Sequence, residues 1–140
     1  ADVAKYLKDV TPPDLVISTR PRDGTLAGLP TWFAAHAPSR LRPTPFGSGQ
    51  ITETITIHPM RSKWQFGDGT AVTRTATATA RHTYLRGGHR RGRLTTRWGA
   101  TYTISYAGGS YGPYHATGTL VRRQRFSMPV HTSRPVLVSH

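Results

Sequence analysis

The segment Trp64-Gln65-Phe66-Gly67-Asp68-Gly69 constrains this chain more than any other. Trp64 and Phe66 lie two residues apart, so on a strand both side chains point to one face and enter one core. Gly67-Asp68-Gly69 then supplies residues that tolerate positive φ, as a tight hairpin demands. The Asp68 carboxylate is placed to accept backbone N–H bonds within that turn, and Thr70–Thr73 leads the chain back as a partner strand.

The surrounding pattern agrees with a strand-rich chain. Ile51, Ile55 and Ile57 alternate with Thr52, Thr54 and Thr56, apart from one irregularity at Glu53, which reads as a half-buried antiparallel strand. Further strands are predicted at Leu15–Ser18, Ser62–Phe66, Thr70–Ala80, Thr95–Tyr106, His115–Met128 and Pro135–Ser139, separated by Gly-, Pro- or Arg-rich turns. Ala76–Ala80 alternates with small residues in the manner of an edge strand. Near the N-terminus, Val3, Tyr6, Leu7 and Val10 share a helical face, predicting a short helix over 2–10 that Thr11-Pro12-Pro13 ends. From Leu26 to Gly49 the prolines 30, 38, 43 and 45 break any regular pattern, and Trp32-Phe33 is the one large apolar anchor. The expected organisation is one compact domain of 140 residues. A lead-in over 1–49 precedes a β-sandwich over 50–140.

Downstream of the hairpin comes His82-Thr83-Tyr84, where a tyrosine hydroxyl is placed to fasten a sandwich corner to upstream backbone. Thr101–Tyr106 follows as an alternating Tyr-Thr-Ile strand. With these three parts the chain resembles the PKD family. The fold class it implies is all-β, an immunoglobulin-like, PKD-type antiparallel β-sandwich, here with the short N-terminal helix added. Leu29-Pro30-Thr31-Trp32-Phe33 extends the likeness to exported or envelope-anchored actinobacterial PKD-like proteins. The resemblance implies a non-catalytic module working outside the cytoplasm, as a spacer, a carbohydrate- or protein-binding module, or an accessory domain of a secreted enzyme or surface protein. Its structural motif residues are Trp64, Phe66, Gly67, Asp68, Gly69, His82 and Tyr84. The N-terminal residues carry no apolar signal-peptide core, so an exported form has its signal elsewhere or removed. The chain departs from the family after Tyr84, where it inserts Arg86-Gly87-Gly88-His89-Arg90-Arg91-Gly92-Arg93 before the Tyr-Thr-Ile strand.

Charge is the other outstanding property. Nineteen Lys plus Arg against six Asp plus Glu give +13, and Glu53 and Asp68 are the only acids after residue 23. Arginine pairs bidentately with phosphate and carboxylate, which points to an anionic partner. GC-rich codon usage is the alternative source of the same bias. The insertion reads as a flexible, Gly-rich basic loop, with Arg86, His89, Arg90, Arg91 and Arg93 as anion- or partner-binding candidates. Arg123 and Arg125 form a second cluster on one face of a strand, with Arg122 on the other. Tyr111 and Tyr114, in a Gly/Tyr-rich connection, are candidates for aromatic contact, weighed against an ordinary hairpin.

Catalysis has little to work with. A glycosidase-type carboxylate pair would have to be built from Glu53 on a strand and Asp68 in a turn. No His-x-x-x-His or Asp-x-Asp spacing marks a metal site, no Gly-x-Ser-x-Gly elbow is present, and cysteine is absent. No catalytic residue, cofactor or metal is expected. The expected partners are an envelope protein, another copy of the chain, or anionic wall polymer, with strand addition at a sheet edge as one route. A nucleic-acid partner is the rival reading, opposed by the lack of aromatic residues interleaved with the basic ones. No stretch is long and apolar enough to cross a membrane as a helix.

Overall fold

Alternating apolar residues extend the chain into strands, and two of these strands are long enough to organise the rest. The computed structural model describes residues 7, 9–38, 43–47, 50–75 and 78–132. In chain order the strands are β1 (Val16–Arg20), β2 (Thr25–Leu26), β3 (Pro30–His36), β4 (Thr44–Phe46), β5 (Thr52–Gln65), β6 (Ala71–Thr75), β7 (Ala78–Thr83), β8 (Gly88–Tyr106), β9 (Gly109–His115) and β10 (Leu120–His131). β1, β3 and β7 form a three-stranded antiparallel sheet. The larger sheet runs β2-β10-β8-β5-β4, with β6 also on β5 and β9 also on β8.

β5 and β8 pair along nearly their whole lengths, from Gln65↔Arg93 to Thr52↔Ser105. Their outer neighbours change part way along. At the Trp64 end, β6 lines β5 and β10 lines β8, giving a four-stranded body. At the other end, β4 lines β5 and β9 lines β8, giving an arm. The change falls at a register irregularity between Pro59 and Arg61. An extra residue on one strand reverses which residues face inward. Before it Glu53, Ile55 and Ile57 are buried, and after it Ser62 and Trp64 are.

The body packs against the three-stranded sheet through aromatic side chains. Phe33 on β3 lies 5.5 Å from Trp64, 5.1 Å from Phe66 and 5.6 Å from Phe126 between ring centroids. Tilted rings at such separations add to the gain from burying their area. Leu94, Trp98 and Met128 complete the centre, all buried. At one margin Gln124 clasps the start of β1. Its Nε2 donates to the Leu15 carbonyl at 2.9 Å, and the Leu15 N–H donates to its Oε1 at 2.9 Å. Arg122 pairs with Asp14 at 2.8 Å beside it.

Several expectations change. The all-β class holds, with sheets packed together, but no helix is present among the described residues. Of the predicted helix over 2–10, residues 1–6 and 8 lie outside them, and at the remaining positions the Val10 N–H closes a turn onto the Leu7 carbonyl at 3.0 Å. Thr11-Pro12-Pro13 follows at once and cannot continue helical bonding. Part of the irregular stretch from Leu26 is strand β3, the centre of the small sheet, because Pro30 sits at its first position where a missing N–H is tolerated. The single strand expected over Thr70–Ala80 is two strands in different sheets. The strand expected at Pro135–Ser139 lies outside the described residues.

Candidate functional site

The hairpin and the corner form one assembly. The Tyr84 hydroxyl, fully buried, donates to the Phe66 carbonyl at 2.9 Å. His82 stacks on Phe66 at 4.1 Å between centroids and meets the Tyr84 ring edge-on at 4.6 Å. Its Nε2 lies 2.6 Å from Asp68 Oδ2. Asp68 also accepts from the Thr70 N–H and hydroxyl through Oδ1. Partial burial works against its ionisation, but the bonds from Thr70 and His82 outweigh it, holding the carboxyl below its ordinary range. Burial pushes the Tyr84 phenol above its ordinary value, with the Asp68 charge adding to the effect. Gly67 is required by close approach, since a Cβ there would stand 2.5 Å from the Arg91 carbonyl oxygen of β8 at a φ of +90°. Asp68, Thr70 and Tyr84 also border a cavity of about 380 Å³ together with Leu85, Arg86 and Arg90.

The basic segment is not a flexible loop. Residues 88–93 are the first part of β8, paired to β10 from Gly88↔Val130 to Arg93↔Arg125. Its glycines do not break the strand because β10 pairs with every residue of it, and β5 joins on the other side from Arg93 onward. Gly92 faces inward opposite Phe126, whose ring occupies the space a Cβ would need. Strand alternation then divides the candidates. His89, Arg91 and Arg93 point to the outer face of the sheet, as do Arg123 and Arg125 on β10. Arg90 points the other way and bonds the Arg86 and Gly87 carbonyls at 3.2 and 3.3 Å. Arg86 lies before the strand, beside the Tyr84 corner.

The register adds cations that sequence reading missed. Arg61 and Lys63 on β5 and Arg97 on β8 are exposed on the same outer face. The rows across the sheet are Gln65–Arg93–Arg125, Lys63–Thr95–Arg123 and Arg61–Arg97–Val121. Arg93 therefore stands directly opposite Arg125, and Arg61 directly opposite Arg97. Opposed side chains on neighbouring strands lie about 5 Å apart at Cβ, and like charges so placed repel. Among the described residues the ion pairs are Asp68–His82 and Asp14–Arg122, so no acid relieves this face. Gln65, Arg91, Arg93 and Arg125 also border a shallow cavity of about 350 Å³. The signal for Arg61, Lys63 and Arg97 was their odd-numbered spacing, but the side they share with Arg123 and Arg125 is set by pairing between distant strands.

Tyr111 and Tyr114 lie on strand β9, where the sequence left a connection. Tyr111 stacks on Tyr106 at 5.3 Å with their hydroxyls 2.6 Å apart, and Tyr114 meets Tyr102 at 5.4 Å. The bond that the Tyr106 hydroxyl donates to Tyr111 raises the Tyr106 phenol above its ordinary value. Both tyrosines are nearly half exposed, on the arm and away from the cationic rows. Trp32, expected to anchor the lead-in, is also exposed on the outer face of β3, while Phe33 does the anchoring. Among the described residues no group of three or more His, Asp or Glu could hold a metal ion, and no helix is long and apolar enough to cross a membrane. Compared by sequence with known families and with characterised proteins, the chain matches none of them.

Proposed function

We propose that this protein is a non-catalytic β-sandwich module of the PKD type that binds an anionic polymer across the outer face of β5, β8 and β10. The observation that carries this reading is the pair of like-charged cross-strand contacts, Arg93–Arg125 and Arg61–Arg97, with no acid beside them. Such an arrangement destabilises the free sheet, and a row of phosphates or carboxylates reverses the sign of that interaction. Codon bias alone raises arginine content but does not set arginines directly opposite one another across two neighbouring strands. That face carries no aromatic residue among its rows, so bases would find no platform for stacking. Recognition by charge alone suits a phosphate- or carboxylate-bearing wall polymer, and hence a place outside the cytoplasm. The PKD assignment rests on the Trp64–Gly69 hairpin and the Tyr84 corner bonded to it.

The test uses inorganic polyphosphate, a thymidine oligonucleotide and an abasic strand of equal length. With about four charges engaged, the slope of log affinity against log salt is about −3, a loss of about 50-fold between about 50 and about 200 mM. The double variant Arg93→Gln, Arg125→Gln lowers the slope to about −1.4. The abasic and base-bearing strands bind alike. A tenfold preference for the base-bearing strand turns the reading toward nucleic acid, and affinity indifferent to salt ends it.

A second reading, contact with an envelope protein or another copy of the chain, draws on the half-exposed Tyr111 and Tyr114 of the β8–β9 hairpin. A concentration-dependent increase in mass by light scattering, lost on Tyr111→Ser and Tyr114→Ser, would support it.

A further inference from the structure

The opposite side of the molecule holds a second concave surface. On the outer face of the three-stranded sheet, Arg20, Trp32 and Arg81 are cross-strand partners in one row, and Ser18, Ala34 and Thr79 in the next. Between them runs a groove of about 630 Å³, lined by Ser18, Arg20, Arg22, Trp32, Ala34 and Thr79. This volume is in the range of pockets that hold small organic ligands. Trp32 is 54% exposed, whereas Trp64 and Trp98 are fully buried. An indole on the outward position of a central strand forfeits the burial that usually justifies tryptophan. The Arg81 guanidinium lies over the ring at 5.2 Å and holds it in place by cation–π attraction. Arg81 does not line the groove, so the indole still presents apolar surface to it.

The chemistry around this platform is specific. Ala34 leaves the floor low beside the indole. The Ser18 and Thr79 hydroxyls flank Ala34 in register, each able to donate and accept. Arg20 and Arg22 line the same groove, and neither has a carboxylate partner among the described residues. We propose that this groove binds a carboxylate-bearing pyranose, an acidic sugar residue. The C–H face of the sugar ring stacks on Trp32, its hydroxyls bond Ser18 and Thr79, and its carboxylate takes the guanidinium of Arg20 or Arg22. Trp32 has no second ring opposite it among the described residues, which suits a sugar on one platform better than a base clamped between two. This site lies on the other sheet from the cationic rows, so it stands independently of them.

The test exploits the distribution of tryptophans. Trp32 is the accessible one, so acrylamide quenching of the intact protein reports on it. Trigalacturonate is expected to shield Trp32 from acrylamide, and titration calorimetry to show binding at least tenfold tighter than neutral maltotriose. Trp32→Ala abolishes the heat of binding with the fold intact by circular dichroism. Arg20→Gln brings trigalacturonate down toward maltotriose, and Arg93→Gln with Arg125→Gln leaves the titration unchanged. Absence of shielding at millimolar trigalacturonate overturns the proposal. So does equal affinity for maltotriose, or tighter binding of thymidine monophosphate, which would make the groove a base-stacking site.

Discussion

Replacing Tyr84 by phenylalanine removes one oxygen from a buried corner of the molecule. The ring keeps its place against His82 and Phe66, while the Phe66 carbonyl loses its hydroxyl donor. A buried carbonyl left unsatisfied costs about 1–3 kcal/mol. For a domain of this size that is a fall in Tm of about 4–12 °C. The cost also depends on pH. Burial raises the Tyr84 phenol in the folded state above its unfolded value near 10. Above that value the folded chain retains a proton that the unfolded chain has released, so wild-type stability falls with rising pH by about 1.4 kcal/mol per unit from this group. Phenylalanine has no proton to lose. The gap between the two proteins is therefore largest near neutrality and closes steadily above about pH 10. Urea unfolding at pH 7.5 and at pH 11, followed by emission of the buried Trp64 and Trp98, measures it. A gap under about 0.5 kcal/mol at pH 7.5, or one that does not narrow by pH 11, refutes the account of the corner.

Other consequences follow from neighbouring residues. Gly67→Ala places a methyl against the Arg91 backbone at positive φ and costs about 3 kcal/mol. Gly69→Ala, at the same φ of +90° with open space around it, costs only the backbone strain of about 1 kcal/mol, and thermal melts compare the two. The Asp68 carboxyl is held below its unfolded value, so its contribution is present above about pH 4 and is lost as pH falls through the folded-state value. Asp68→Asn should therefore melt below wild type at pH 6, with the difference shrinking as pH falls below about 4. Gln124→Leu removes both bonds to Leu15 and lowers stability by about 1–2 kcal/mol, and hydrogen exchange at the Leu15 amide should quicken more than at β8.

The sequence by itself determined the local chemistry of the hairpin and corner. Two aromatic residues at strand spacing, a Gly-Asp-Gly turn and a tyrosine downstream are each read within a few residues, because strand period and turn geometry are local properties. The same reading placed Arg123 and Arg125 on one face of a strand and Arg122 on the other. It failed where glycine and arginine hid a strand, at residues 88–93, because the order there comes from pairing with Gln65 and with residues 125–130 far along the chain. It also gave Trp32 and Phe33 together an anchoring role that Phe33 alone fills, since adjacent residues on a strand face opposite ways and only the packed sheets decide which way is in. The union of Arg61, Lys63, Arg91, Arg93, Arg97, Arg123 and Arg125 into one face, and of Arg20, Arg22 and Trp32 around one groove, was likewise decided by register. Register joins residues across long stretches of chain, and no local pattern encodes it.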